Sequence, residues 1–146
     1  MIILNSATGF SDSELSLLKA AVDKCNAVMA TDAFKAKVMT MTFACTMDTG
    51  TQVLAKLAQP LTVDFFIFWP SWWKRHFSRE VAYEDSQGVH FDKNKFDGES
   101  FAEICNTVGH ESTHDAGYVH PYEPCADRDN SVPYQIGDLI ELLVDG

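Results

Sequence analysis

The chain has 146 residues, 46% of them apolar and 12% aromatic, which is about one domain's worth of polypeptide with enough apolar material for a buried core. That composition excludes a disordered or collagen-like chain. The formal net charge of −10 is unevenly placed: residues 1–96 hold ten acidic and ten basic side chains, whereas residues 97–146 hold eleven acidic side chains against Arg128 alone.

An acidic surface of that kind repels phosphate backbones, so nucleic acid is not an expected partner. The short basic-aromatic patch Trp72-Trp73-Lys74-Arg75-His76, with Arg79, is too small to reverse this and reads as a solvated turn with Trp anchors. No apolar run reaches the ~18 residues of a membrane helix; Val63–Trp69 is interrupted by Asp64 and stopped by Pro70. Met1–Gly9 lacks the basic start and long apolar stretch of a secretory signal, so the expectation is that either none exists or it is already gone, and the compartment stays open. The four cysteines, at 25, 45, 105 and 125, form no C-x-x-C pair and fit either two disulfides or buried thiols.

In chain order, Ser11-Asp12-Ser13-Glu14 is a capping box, after which Leu15, Leu18, Val22, Cys25 and Met29 recur at helical spacing, predicting a helix over about 12–29. A short helical turn follows from Thr31 or Asp32. Met39–Thr46 is rich in β-formers and reads as a strand. Thr49-Gly50-Thr51-Gln52 caps a helix that runs toward Gln59 and stops at Pro60. Leu61–Trp69, β-branched and aromatic, predicts a largely buried strand. Glu80–Glu84 and Val89–Asp92 flank Asp85-Ser86-Gln87-Gly88 as a hairpin, with Val89–Phe91 as an edge for an extended peptide. Ser100-Phe101-Ala102-Glu103 opens a helix to about Ala116, ended by Gly117. Ile136, Leu139, Ile140 and Leu143 mark a C-terminal helix. Together these elements predict one α+β domain over residues 1–146.

Three of the five histidines fall within eleven residues, His110-Glu111-Ser112-Thr113-His114-Asp115-Ala116-Gly117-Tyr118-Val119-His120. His110 and His114 share a helix face, with Cβ atoms about 5–6 Å apart, close enough for two imidazoles to hold one Zn²⁺ at roughly 2.0–2.1 Å. Glu111 stands about 100° around the helix, beside such an ion rather than on it. On a continued helix His120 would lie about 120° off that face and about 9 Å further along the axis. Gly117 resolves this: a left-handed C-cap there lets the chain turn back and deliver His120. Three histidines leave one tetrahedral position for water or substrate, the arrangement of a catalytic site.

The pattern H-E-x-x-H-x-x-G-x-x-H resembles that of the metzincin zinc metallopeptidases. The family also carries a methionine-containing turn below the metal. Here all five methionines (1, 29, 39, 41, 47) precede the motif, and Ser131-Val132-Pro133-Tyr134 stands in the turn's place, so the chain looks like a small, minimal form of the family. The resemblance implies a zincin-like fold, a twisted mixed sheet with a backing helix, an active-site helix and a C-terminal helix. It also implies one catalytic Zn²⁺ held by His110, His114 and His120. Glu111 would then be the general base on zinc-bound water in peptide-bond hydrolysis. Tyr134 is implied as an oxyanion stabiliser or labile extra ligand, against the plainer reading of a packed tyrosine.

The partners expected are a peptide or protein substrate and no membrane, with the chain a monomer. Asp115 is a candidate to orient a histidine. Glu123 and Asp127 are weaker alternative ligands, Cys105 belongs to the core, and His76 and His90 are ordinary polar or strand residues. No inhibitory cysteine latch is expected. A zinc-binding effector domain with little proteolysis is the main alternative, and amide hydrolysis on peptidoglycan a lesser one.

Overall fold

The computed structural model describes residues 1–69, 82–85, 88–120 and 127–146, the strand at 82–85 by its backbone alone. Four strands are formed: β1 (Ile2–Thr8), β2 (Leu61–Phe68), β3 (Ala82–Asp85) and β4 (Gly88–Asp92). The helices among these residues are α1 (Asp12–Ala30), α2 (Asp32–Thr40), α3 (Gly50–Leu57), the single turn α4 (Lys93–Phe96), α5 (Phe101–Asp115) and α6 (Val132–Asp145).

The helix starts follow from side chains that satisfy the free N–H groups of a first turn. Ser11 Oγ accepts from the Glu14 amide while Glu14 accepts from the Ser11 amide at 2.6 Å. The same reciprocal box opens α3 through Thr49 and Gln52 and α5 through Ser100 and Glu103. Three capping boxes legible in the sequence therefore start the three helices they predict.

The sheet runs in the order β1-β2-β4-β3. β1 pairs with β2 in parallel from Ile2↔Leu61 onward, with a register shift between Leu4 and Ser6, and β2 pairs in parallel with β4 from Phe65↔Val89 to Phe68↔Asp92. The hairpin is present as β3 antiparallel to β4, with Asp85 opposite Gly88; its turn residues 86 and 87 lie outside the described residues. On β2 the alternation is strict, with Leu61, Val63, Phe65 and Ile67 buried. They join Val89 and Phe91 in facing the core that α1, α5 and α6 complete. Each such fully buried side chain contributes roughly 1.5–3 kcal/mol. This is an α+β fold with a mixed sheet. Among the described residues no helix is long and apolar enough to cross a membrane.

Three expectations are corrected. Met39–Thr46 is not a strand: Met39 and Thr40 end α2, and Ala44 alone makes a β-bridge, to Ser131. The Thr31 cap, whose hydroxyl accepts from the Phe34 amide, starts a full helix rather than a turn, because Phe34 and Val38 both find the core. Val89–Phe91 is not an edge, since β4 is paired on both sides and β3 lies outside it. β1 itself was not anticipated; its bulge at Leu4/Ser6 breaks the alternation by which a strand is recognised.

α5 sits between α1 and α6, and also packs on β2 and β3. Gly109 permits the close approach of α6: a Cβ at that position would stand 2.4 Å from Ile140 Cδ1. The helix that carries the histidine motif is thereby held along its length by the core.

Candidate metal centre

His110 and His114 lie one turn apart near the C-terminal end of α5, with ring centroids 5.4 Å apart. Beyond His114 the helix ends at once. Gly117 takes φ +87° and its amide donates to the His114 carbonyl at 2.8 Å, while the Tyr118 amide donates to the Thr113 carbonyl at 3.1 Å. A Cβ at Gly117 would meet nothing within 4 Å, so the backbone angle, not space, requires glycine here. The turn sends the chain back along the helix end. His120 arrives with its ring 5.1 Å from that of His110 and 4.9 Å from that of His114.

The three histidines each present one ring nitrogen such that these atoms all lie within 4.8 Å of one another. His110 Nε2 and His120 Nε2 are 3.1 Å apart. Two nitrogens on one tetrahedral Zn²⁺ at about 2.0–2.1 Å would be separated by about 3.3 Å, close to the spacing of this pair, and the group of three could hold a metal ion. The electrostatics agree. Burial, followed by the neighbouring His114, His120 and Arg128, lowers the His110 pKa to about 3. Burial lowers His114 and His120 as well. All three rings are thus neutral at ordinary pH, the form that binds metal.

His114 is oriented by the backbone. Its Nδ1 lies 2.7 Å from the Tyr118 carbonyl oxygen, which can only accept, so Nδ1 carries the proton and Nε2 keeps its lone pair. Asp115, the carboxylate expected to orient a histidine, is exposed instead. Glu111 is buried on the same helix with Oε2 4.0 Å from His114 Nε2, beside the cluster rather than within it. Tyr134 also joins the site: its ring meets His110 edge-on at 4.6 Å and lies 5.0 Å from His120. Ser131 stands at the N-cap position of α6 without a side-chain capping bond, Pro133 lies in the first turn, and the Ser131 backbone pairs with Ala44. Of the segment Ser131–Tyr134, it is Tyr134 that meets the histidine rings.

Other candidates fall away from the cluster. Asp127 is exposed and bonded to Asn130. His90 is a strand residue whose ring stacks on Phe66 at 4.7 Å. Cys105 is buried between α1 and α5 beside Cys25, and both are free thiols. Cys45 is disulfide-bonded. Glu123, His76, the patch from Trp72 to Arg79, and Cys125 lie outside the described residues.

Two participants escaped the sequence reading. Arg128 Nη2 donates to the Tyr134 hydroxyl at 2.9 Å and lies 3.3 Å from His120 Nδ1. Its isolation among eleven carboxylates is the one signal that could have drawn attention to it. Asp48 accepts from the Tyr118 hydroxyl at 2.8 Å from seventy residues away, and nothing local in the sequence announces that contact. No protein-family model, curated protein or solved structure matches this chain.

Proposed function

We propose that the chain is a zinc-dependent peptidase in which His110, His114 and His120 hold the ion and Glu111 is the general base. The observation that carries this reading is the convergence of three imidazoles with a buried carboxylate set just beside them. Held by these three imidazoles, zinc would supply Lewis acidity, enough to acidify water toward neutral pH and to polarise a scissile carbonyl.

The chain's own residues do the rest. Glu111, buried among core atoms, accepts a proton from the attacking water and returns it to the leaving amine. Tyr134, bonded to the Arg128 guanidinium, presents a polarised hydroxyl beside His110 and His120 for the oxygen that gains charge. Arg128 itself adds a fixed positive charge next to that hydroxyl. The acidic last third of the chain favours cationic stretches of substrate.

The test is hydrolysis of a quenched fluorescent peptide library and of casein by the wild type, Glu111→Gln and His114→Ala, with metal analysis of each. The reading expects about one zinc per chain and hydrolysis in the wild type. Glu111→Gln should keep its zinc and lose at least 100-fold in rate, as removal of a general base does; His114→Ala should lose both. Stoichiometric zinc with no cleavage above the Glu111→Gln background replaces the peptidase with a zinc-binding module. Cell-wall fragments in the same assay expose hydrolysis of other amides.

A further inference from the structure

The segment before α3 reaches across the fold to the far shoulder of the histidine cluster. Asp48 accepts the Tyr118 hydroxyl at 2.8 Å, and Lys56 of α3 pairs with the same carboxylate at 2.7 Å while its ammonium lies 4.6 Å from the Tyr118 ring centre. Tyr118 is buried. Its side chain is thus held at the tip by a charge-assisted bond and along its face by a cation. The same residue's carbonyl is the partner of His114 Nδ1 at 2.7 Å, and its amide is tied to the Thr113 carbonyl. One residue therefore joins the helix end, the orientation of His114 and the path of the chain to His120, two positions on.

The strap that carries Asp48 is itself fastened elsewhere. The Ala44 amide donates to the Asn130 carbonyl at 2.8 Å, and Gln135 donates to the Thr42 carbonyl at 3.2 Å. It therefore spans both the return loop after Gly117 and the start of α6 that carries Tyr134.

We propose that Asp48 is a positioning residue for the metal centre: by anchoring Tyr118 it fixes the carbonyl that orients His114 and the course of the chain to His120. This rests on the reading that the histidines hold a metal. Asp48 touches neither the metal nor the substrate, and acts through Tyr118. A carbonyl free to wander would let the His114 ring rotate. The apo protein would then have to order that ring, and the loop to His120, each time it binds. Outer partners of this kind typically contribute 10–100-fold to metal affinity.

The test compares the full chain with Tyr118→Phe, Asp48→Ala and Asp48→Asn. Zn²⁺ affinity is measured by competition with a chromophoric chelator, the visible spectrum is recorded with Co²⁺ in place of zinc, and apo thermal unfolding is followed separately. The proposal expects Tyr118→Phe and Asp48→Ala to bind zinc 10–100-fold more weakly and to change the Co²⁺ bands. Asp48→Asn, which keeps an oxygen acceptor for the hydroxyl, should recover most of the affinity. Variants that unfold earlier yet bind zinc with wild-type affinity and an unchanged Co²⁺ spectrum overturn it, because the brace would then serve the fold alone. Asp48 is partly exposed, so the two Asp48 variants decide the question even if Tyr118→Phe does not fold. A wild type that takes up no zinc, indistinguishable from His114→Ala, removes the metal reading and this proposal with it. Loss of affinity confined to the brace variants separates the two.

Discussion

Gly117 offers the sharpest test of how the third histidine reaches the others. Its φ of +87° lies in the region that L-residues avoid, yet a Cβ there would meet nothing within 4 Å. A substitution therefore incurs a backbone penalty and no clash. For alanine that penalty is about 1–2 kcal/mol. Asparagine, which visits left-handed conformations more readily, should cost less, and β-branched valine more. At roughly 2–4 °C per kcal/mol for a chain of about this size, Gly117→Ala should unfold about 2–8 °C below the wild type, with Asn above it and Val below. Differential scanning calorimetry of the metal-free chain reads this directly. If strain displaces the turn rather than being absorbed, zinc affinity falls in the same order, since the His114 carbonyl and the route to His120 share the turn. The order Asn, Ala, Val is the signature. Wild-type unfolding temperatures and zinc affinities for both Ala and Val would refute the claim that a left-handed residue steers His120 home.

Two further predictions concern pH. Glu99 has a buried carboxylate oxygen with no hydrogen-bond partner among the described residues, and burial, with Glu103 and Glu141 nearby, raises its pKa to about 7. Its folded form holds a proton that the unfolded form has released, so stability is full below about pH 4.5 and falls as pH rises through 7. Glu99→Gln should then stabilise the chain by about 1–2 kcal/mol at pH 8, after discounting for solvent screening, and change nothing at pH 4; urea unfolding at the two pH values checks this. Glu14 runs the other way: burial would raise its pKa, but hydrogen bonds from Lys93 and Ser11 outweigh burial and hold it at about 2. That contribution is present above about pH 4.5 and disappears as pH falls toward 2. Glu14→Gln should flatten the acid limb of the stability curve over that interval, and an unchanged limb would count against the Lys93 contact.

What the sequence made legible was local. The capping boxes at Ser11, Thr49 and Ser100 depend on residues three apart, and all three helices begin there. The histidine cluster was legible for the same reason, because helix geometry relates His110 to His114 and a glycine angle relates both to His120. The sheet order was hidden. Nothing near Val89 says that β2 will lie beside it, so a strand taken for an edge proved to be interior. Met39–Thr46 misled because its first two residues close a helix that Phe34 and Val38 commit to the core, while of the rest Ala44 alone makes a β-bridge. Asp48 and Arg128 reach the site through tertiary contacts alone, and no periodicity could have placed them there.

The two thiols between α1 and α5 make a built-in clock. Cys25 and Cys105 are both 0% exposed, so an alkylating reagent such as iodoacetamide cannot touch either until the two helices part. The rate at which mass is added at those positions therefore counts openings of the very joint on which the histidine-bearing helix rests. Any ion or inhibitor that favours the closed form will slow that count by mass action, whether or not a peptide is ever cut.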